Sequence, residues 1–354
     1  MTHLYKCIAI TILAGNWQLA QAESSVSEHA NSCTKSQIAA ILAPVDKNNP
    51  TAMIDCSASL PQGSNITKPV YFKGARARNI VFDCNGGSIN PGGNYRQDSV
   101  TFVSTRNQNQ WQTPKNVTLR NCTIQGSLRI RGMASNGQGE ILRISSLTPN
   151  HTEQAQNAAP SHIILDNLTI IGHGRAPLYL APGANNIVLR NSHISGRSNA
   201  VAIYLDAEST QNTIENNIIN TISGRELMAL DGSAHNIIRN NQFTLTKQGG
   251  IFLYRNCGEG GTIRHQTPSF NQITNNSFNG LIDQKKPAIW LASRNGNSRY
   301  CAADDGYPFG SSASNLDYAQ DNLVSDNQFN GNSLNNMIRD NGHRNRIRDN
   351  SLSH

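Results

Sequence analysis

Carboxylates follow two short strand-like segments in the middle of the chain. Asp206 and Glu208 come directly after Ile203-Tyr204-Leu205, and Asp231 follows Met228-Ala229-Leu230. If the two segments are neighbouring strands of a parallel sheet, Asp206 and Asp231 lie about 5 Å apart. Carboxylates at that distance raise each other's pKa or share a cation, so the three acids are a candidate Ca²⁺ site. Alternatively, each Asp only caps its own turn through hydrogen bonds to the backbone.

Basic residues precede this set of strands. They lie five to eight residues before the strand ends, at Arg175, Arg197, Arg225, Lys247 and Lys286. A column of like charges is unfavourable unless an anion lies along it, so the pattern favours a uronate or sulfated chain as ligand. The alternative is a set of solvated corner residues with counter-ions.

Two irregular insertions, residues 255–265 and 294–309, follow the last strands of the set. Long loops on a regular scaffold are often the place of function. The alternative is a disulfide-linked surface loop whose charges serve only solubility. The charged residues of the two loops are Arg255, Glu259, Arg264, His265, Arg294, Arg299, Asp304 and Asp305.

Cleavage of a uronate chain by β-elimination needs three groups. One neutralises the sugar carboxylate, a base removes the C5 proton, and an acid protonates the leaving oxygen. The candidates for the first role are Arg255, Arg264 and Arg294. The candidates for base and acid are His265, Lys247 and Tyr254. Epimerisation at C5 begins with the same proton abstraction, so the same residues would serve an epimerase.

Glycoside hydrolysis would instead need two carboxylates. Asp206 with Asp231, or Asp304 with Asp305, could supply them. A third possibility is a carbohydrate-binding protein without catalysis, because a scaffold of this kind does not by itself define an activity.

An Asn-rich repeat positions all these residues. Asn212-Thr-Ile-Glu-Asn-Asn217-Ile-Ile219 recurs, with variation, four more times, beginning at Asn236, Asn271, Asn322 and Asn345. Looser copies begin at Asn79, Asn116, His162 and Asn186. One unit cannot bury its alternating apolar residues alone, but coaxial stacking buries a continuous core and pairs each strand with the next coil. We expect Asn to accept left-handed backbone at the corners and to bond to the Asn one coil away.

A second strand precedes each Asn unit, and its middle residue lies between two aliphatic residues. Because strand side chains alternate between faces, the middle residue points outward. The resulting outward column is Tyr179, Tyr204, Ala229, Phe252 and Trp290. Aromatic residues on an exposed face would be platforms for sugar rings, with a gap at Ala229. Alternatively, the rings stack on each other or lie under the inserted loops.

The repeat resembles the right-handed β-helix proteins related to pectate lyases, the NosD-type carbohydrate-binding repeats and mannuronan epimerases. The resemblance covers about residues 66–352. It implies an all-β fold, a right-handed single-stranded parallel β-helix, with a short N-terminal capping helix at residues 34–43. It also implies action on carbohydrate, and the positive formal charge of +7 favours an acidic polysaccharide as partner.

The first 22 residues are typical of a secretory signal. Lys6 precedes the apolar run 7–15, and Ala20-Gln21-Ala22 is a small-x-small cleavage site. We therefore predict a signal peptide at 1–22, a cap segment at 23–65 and the β-helix at 66–354. No later segment is apolar enough to span a membrane. The protein is expected to be a monomer in the periplasm or outside the cell, where nucleic acid is a disfavoured partner.

Six cysteines remain after removal of the signal peptide, and an even number in an exported chain favours disulfides. We predict the pairs Cys33–Cys56, Cys84–Cys122 and Cys257–Cys301. Fifteen pairings of six cysteines are possible, so the sequence alone leaves the choice open.

Overall fold

Three long parallel sheets run along the molecule, and each coil of the chain contributes one strand to each sheet. The computed structural model describes residues 31–93, 97–280, 285–298, 301, 306–330 and 333–353. The chain is thus a right-handed parallel β-helix, as the repeat predicts, and the predicted signal peptide lies outside the described residues.

Each sheet joins strands that are one coil apart in sequence. The strands of sheet 1 are Ala52–Met53, Val70–Lys73, Val100–Val103, Leu128–Arg131, Leu178–Leu180, Ile203–Leu205, Met228–Asp231, Ile251–Tyr254, Ile289–Leu291 and Ile338–Asp340. Those of sheet 2 are Ala58–Ser59, Arg78–Asp83, Lys115–Arg120, Ser161–Asp166, Asn185–Arg190, Thr213–Glu215, Ile237–Arg239, Gln272–Thr274, Leu323–Ser325 and Arg346–Arg348. Those of sheet 3 are Asn65–Ile66, Ser88–Ile89, Thr123–Gln125, Thr169–Gly174, His193–Ser198, Ile218–Ile219, Ile222–Ser223, Gln242–Leu245, Ser277–Gly280, Gln328–Phe329 and Ser351–Leu352.

Helices occur only outside the regular coils of the described chain. The α-helices are Lys35–Leu42, Glu140–Ser146, His151–Ala158, Gly310–Ala313 and Leu334–Met337, and the 3-10 helices are Gly74–Arg76 and Glu259–Gly261. A hairpin of Thr105–Asn107 and Gln110–Gln112 completes the elements. No helix in the described part of the chain is long and apolar enough to cross a membrane.

The core is a stack of inward-facing aliphatic and phenylalanine side chains. Phe243, Phe278 and Phe329 occupy the same position of three successive coils, with ring centroids 5.0 Å apart and nearly parallel planes. This spacing matches the strand separation of a parallel sheet, so each coil buries its apolar face against the next.

Two ladders of asparagines, buried except for the half-buried last member of each, run along the turns of the later coils. Their members are Asn212, Asn236, Asn271, Asn322 and Asn345, and Asn217, Asn241, Asn276, Asn327 and Asn350. Each side-chain amide donates to the amide oxygen of the next coil at 2.8–3.1 Å, and the backbone N–H donates to the same oxygen. The predicted bonding between Asn residues one coil apart is confirmed.

The left-handed corner conformation belongs mostly to the residue just before each ladder asparagine. Asn216 and Asn240 have φ of 57° and 56°, and Gln211 and His235 do the same before the other ladder. In the later coils the structure therefore divides the two predicted roles between two adjacent residues. In the earlier coils one residue has both roles: Asn79 and Asn116 are left-handed, and the Asn116 side chain donates to that of Asn79 at 2.9 Å.

The N-terminal cap is the predicted helix. It spans Lys35–Leu42, and Thr34 and Gln37 form a reciprocal capping box at its start. Lys68, a buried residue of the first coil, donates to the carbonyl oxygen of Ala40 at 2.7 Å. The helix is thereby fixed over the otherwise open end of the coil stack.

The three predicted disulfides, Cys33–Cys56, Cys84–Cys122 and Cys257–Cys301, are all present. The first joins the cap segment to the first coil, and the second joins two successive coils. The third joins the two irregular insertions that follow sheet 1, so it fixes the position of one loop against the other.

Candidate functional site

The outward column of sheet 1 has the predicted register. Tyr179 pairs with Tyr204, Tyr204 with Ala229, Ala229 with Phe252, and Phe252 with Trp290. The prediction of an exposed platform is wrong at Tyr179, Ala229 and Phe252, which are buried, while Tyr204 and Trp290 are half-buried. The Tyr179 and Tyr204 rings pack against each other at 5.3 Å, and Phe252 packs on Trp290 at 5.4 Å. The alternative, rings that pack on each other, describes the column better.

Three tyrosines on this face donate to buried carboxylates. The Tyr179 hydroxyl donates to Asp206, Tyr204 donates to Asp231 at 2.6 Å, and Tyr254 donates to Glu226 at 3.0 Å. Burial raises the pKa of all three phenols, and the neighbouring carboxylates raise it further. The phenols therefore stay protonated and act as hydrogen-bond donors.

Asp206 and Asp231 lie in adjacent coils, as predicted, because the residues just before them, Leu205 and Leu230, are register partners. Burial raises the pKa of Asp206 to about 6, the positive charge of Arg264 opposes this shift, and the charge of Asp231 adds to it. Asp206 can therefore exchange a proton near neutral pH.

Arg264 is the cation that faces the two aspartates. Its side chain is buried, and its Nε donates to the carbonyl oxygen of Asn256 at 3.2 Å. Burial lowers the pKa of Arg264, but the charges of Asp206, Asp231 and Glu259 raise it by more, so it remains charged. Gly137 lies directly over the guanidinium, where a Cβ atom would be 2.3 Å from Nη2. Only glycine allows this approach without displacing the arginine.

A cavity of about 200 Å³ opens beside these groups. The insertion 136–138 and Asn256 and Glu259 from the first loop complete its walls. The side chains that bring charge or a hydroxyl to it are Tyr179, Tyr204, Asp206, Arg225, Glu259, Arg264 and Arg294. Arg294 lies 3.7 Å from the centre of the Tyr254 ring, and Arg225 donates to the Tyr254 hydroxyl at 2.6 Å. The cavity thus combines three cations with two carboxyl groups, of which Asp206 is able to exchange protons near neutral pH.

Of the predicted catalytic residues, Arg294 lines this cavity, whereas Arg255, His265, Lys247 and Tyr254 do not. The Arg255 side chain is buried and donates to the carbonyl oxygens of Arg264, Ser314 and Leu316, so it joins the first insertion to the segment that follows the second. The His265 ring contacts the Ser146 carbonyl oxygen at 2.8 Å and packs against Phe309. The predictions that Arg255 neutralises a substrate and that His265 is base or acid are corrected, since both side chains serve loop packing.

The basic residues before the strands do not form one column. Arg197 lies on sheet 3, opposite His173 and Ile222, where it is exposed. Arg175 is 3.1 Å from Asp98, and Lys286 donates to Gln248. Lys247 follows the sheet 3 strand Gln242–Leu245 and does not line the cavity. Of the five predicted residues, Arg225 alone lines the cavity, because the corner segments differ in length from coil to coil.

The predicted Ca²⁺ site is not formed. Glu208 adopts left-handed backbone, with φ of 63°, and its carboxylate accepts from Thr152 and from the backbone N–H groups of His265 and Gln266. It joins the helix His151–Ala158 to the first loop and faces away from Asp206 and Asp231. The described ranges contain no group of three His, Cys, Asp or Glu side chains that could hold a metal ion. Arg299, Asp304 and Asp305 lie outside those ranges.

Several residues of this face were missed from the sequence. Asp98 forms ion pairs with Arg129 at 3.0 Å, with Arg175 and with Arg131. Arg129 is the register partner of Tyr179, so it continues the outward column by one coil. The segment Leu128-Arg129-Ile130-Arg131 has the same alternation as the later strands, and this alternation could have revealed Arg129 as a member of the column. The long insertion 132–160 obscures the repeat period here, because it separates this strand from the rest of its coil.

The sequence matches the family model described as a right-handed β-helix region over residues 101–295, more than half of the 354-residue chain. The chain therefore belongs to the right-handed β-helix family. No curated protein sequence matches it significantly.

Several solved structures are similar to this chain at low sequence identity. DFA-IIIase from Arthrobacter chlorophenolicus A6, in complex with GF2, is 12% identical, with coverage of 94% of this chain and 88% of the other and a TM-score of 0.41. Alginate lyase from Paenibacillus sp. str. FPU-7 is 12% identical, with coverage of 85% and 98% and a TM-score of 0.32. A tailspike protein of Escherichia coli bacteriophage HK620, in complex with a pentasaccharide, is 13% identical, with coverage of 86% and 48% and a TM-score of 0.29. Scores of this size carry no argument about activity, which must come from the site itself.

Proposed function

We propose that this protein is an exported enzyme that cleaves an anionic, uronate-containing polysaccharide in the sheet 1 cavity. The observation that carries the proposal is Asp206, which lines an arginine-rich cavity and has a pKa raised by burial to about 6. A carboxyl group with that pKa can give or take a proton at neutral pH, as general acid–base catalysis requires.

The arginines support an acidic substrate. Arg225, Arg264 and Arg294 reach the cavity, and a guanidinium can bind a carboxylate through two parallel hydrogen bonds. Arg225 is paired with Glu226 at 2.6 Å, and the carboxylates of Asp206, Asp231 and Glu259 act on Arg264. These contacts hold the two guanidinium groups in place at the wall. A sugar carboxylate would therefore gain charge-assisted hydrogen bonds that a neutral sugar lacks.

Hydrolysis is the reaction that these groups support best. Asp206 would protonate the leaving glycosidic oxygen. The second carboxylate would be Asp231, which is buried behind the cavity wall and held by Tyr204 and by the backbone N–H of Asn256 at 2.7 Å. Strands of adjacent coils are about 4.8 Å apart, which is close to the spacing of about 5 Å in hydrolases that retain configuration.

Elimination at C5 is the second candidate, favoured by Arg264 and Arg294 beside the cavity. Either arginine would neutralise the uronate carboxylate, and ionised Asp206 would remove the C5 proton. With His265 and Lys247 away from the cavity wall, Asp206 takes the role of base. An epimerase would begin with the same step and return the proton to the other face of the sugar.

One assay panel distinguishes these reactions. The purified mature protein is incubated with alginate, pectate, hyaluronan and chondroitin, each with added Ca²⁺ and with EDTA. New reducing ends without ultraviolet absorbance indicate hydrolysis, and reducing ends with absorbance of an unsaturated uronate indicate elimination. Altered sugar signals in NMR spectra without cleavage indicate epimerisation. Binding without any of these products would overturn the enzymatic proposal in favour of a carbohydrate-binding protein.

Export is part of the proposal. Three disulfides in one chain are typical of oxidising compartments such as the periplasm or the cell exterior. An acidic polysaccharide is also available there. Fractionation of cells that express the full-length chain, with an antibody to the mature part, would locate it.

A further inference from the structure

An arginine cluster lies one coil before the cavity and is not needed for proton transfer. Arg129, Arg131 and Arg175 surround the carboxylate of Asp98, whose side chain is buried. The distances to Asp98 are 3.0 Å from Arg129 Nε and 3.1 Å from Arg175 Nη2. One carboxylate therefore faces three guanidinium groups.

Three arginines of the cluster share the carboxylate of Asp98. Burial and the neighbouring charge of Arg175 together lower the pKa of Arg129 to about 10, although Tyr179 and Asp206 oppose the shift. Like charges held together in a partly buried place are costly unless an anion joins them.

The cluster is also open to a ligand. The side chains of Arg131 and Arg175 are 27% and 35% exposed, whereas Asp98 lies beneath them. The buried carboxylate of Asp98 thus holds the guanidinium groups in position, while part of the Arg131 and Arg175 side chains lies at the surface. Arginine directs its five N–H donors in a planar fork, which matches the oxygens of a carboxylate or a sulfate.

The position of the cluster connects it to the cavity. Arg129 is the register partner of Tyr179, and its guanidinium lies 4.4 Å from the centre of the Tyr179 ring. Tyr179 in turn is part of the cavity wall. A polysaccharide that lies along the outward column of sheet 1 would therefore meet the cavity and the cluster in succession.

We propose that Arg129, Arg131 and Arg175 form a binding subsite for an acidic substituent, a carboxylate or a sulfate ester, on a sugar beside the one in the cavity. This inference rests on the proposed function, because it assumes that the polysaccharide occupies the cavity. It adds a requirement on the substrate: acidic groups must occur on neighbouring sugars, as in a polyuronate or a sulfated copolymer.

The test is calorimetric binding of defined oligosaccharides to the full mature chain with Asp206→Asn, which prevents turnover. The probes are oligogalacturonate, its neutral carboxyl-reduced form, and chondroitin oligosaccharides with and without sulfate. Arg131→Gln should weaken binding of the acidic probe about tenfold, the loss expected for one charge-assisted hydrogen bond. Arg131→Lys should restore part of the affinity, and the neutral probe should show no change.

Arg120→Gln is the matched control. Arg120 lies in the same coil and forms an Arg–Asp pair with Asp83 at 2.8 Å, but on sheet 2. Its replacement should leave binding unchanged. Equal affinity of the Arg131→Gln and Arg120→Gln variants, or no binding of any probe, would overturn the subsite. If Arg131→Gln loses affinity for the sulfated probes but not for the uronate probes, the subsite binds a sulfate ester. The opposite result would assign it to a carboxylate.

Failure of the subsite is distinguishable from failure of the proposed function. If the wild-type chain releases product and Arg131→Gln has an unchanged KM, cleavage stands and the subsite does not. If no substrate is cleaved but Arg131→Gln weakens binding, the subsite stands and the enzymatic function does not.

Discussion

The outward faces of sheets 1 and 2 carry similar charges in opposite environments. On sheet 2, ion pairs join successive coils, as in Arg120–Asp83, Arg190–Asp166 and Arg239–Glu215, and the arginine side chains are 41–49% exposed. On sheet 1, Asp206, Asp231, Glu226 and Arg264 are buried beneath the insertions. The same parallel register produces both arrangements.

The difference shows what the insertions contribute. Exposed ion pairs are solvated and screened, so they add little to stability and bind no particular ligand. Enclosed charges interact strongly with each other, and burial raises the pKa of Asp206 into the range useful for proton transfer. The repeat therefore supplies charges on every face, and the loops decide which face can do chemistry.

The largest expected effect comes from replacing the acid of the sheet 1 cavity. Asp206→Asn should lower turnover about 10²- to 10⁴-fold, because it removes the group that transfers the proton. The variant keeps the size of the side chain, so circular dichroism and thermal unfolding should remain those of a folded β-helix. Turnover equal to wild type would show that the reaction occurs elsewhere on the molecule.

Replacement of a ladder asparagine at the turn between sheets 2 and 3 should have the next largest effect. Asn241→Ala removes the acceptor of Asn217 and the donor to Asn276, so two buried amide groups lose partners. The free energy of unfolding should fall by roughly 2–4 kcal/mol, measured by urea denaturation. Asn330→Ala, at an exposed position, is the control and should change it little. Equal stability of the two variants would contradict the role assigned to the ladder.

Stability should also depend on pH through Asp206. The pKa of Asp206 is about 6 in the folded protein and 3.8 is its ordinary value, so between these values the folded protein binds a proton that the unfolded chain releases. Asp206 therefore makes stability fall as pH rises from about 4 to 6, by on the order of 3 kcal/mol at most. Urea denaturation at several pH values should show a flatter dependence for Asp206→Asn than for wild type. Parallel curves would contradict the raised pKa.

The smallest effect is expected on sheet 2. Arg239→Gln breaks the 2.7 Å pair with Glu215, in which the arginine side chain is 49% exposed, and should cost about 0.2–1 kcal/mol. Added salt should reduce the difference from wild type, since the pair is solvated. A loss of several kcal/mol, or any loss of turnover, would show that the two faces differ less than their exposure suggests.

Much of the scaffold could be predicted because its cause is repeated in the sequence. The Asn units, the alternation in Ile203-Tyr204-Leu205 and the capping residues around Thr34 each specify local geometry that stacking then repeats. The adjacency of Asp206 and Asp231 follows from the same period. The site was predicted less well, since Arg255 and His265 lie in loops whose course no period determines.

The sequence by itself determined the coil, its register, the cap helix and the outward direction of Tyr179 and Tyr204, because these depend on residue type and spacing along one strand. The tertiary structure alone decided which outward residues are covered, that Arg255 is buried while Arg294 reaches the cavity, and that Asp98 gathers three arginines. The physical reason is that insertions of unequal length fold across several coils, so their contacts join residues between which the sequence has no fixed spacing.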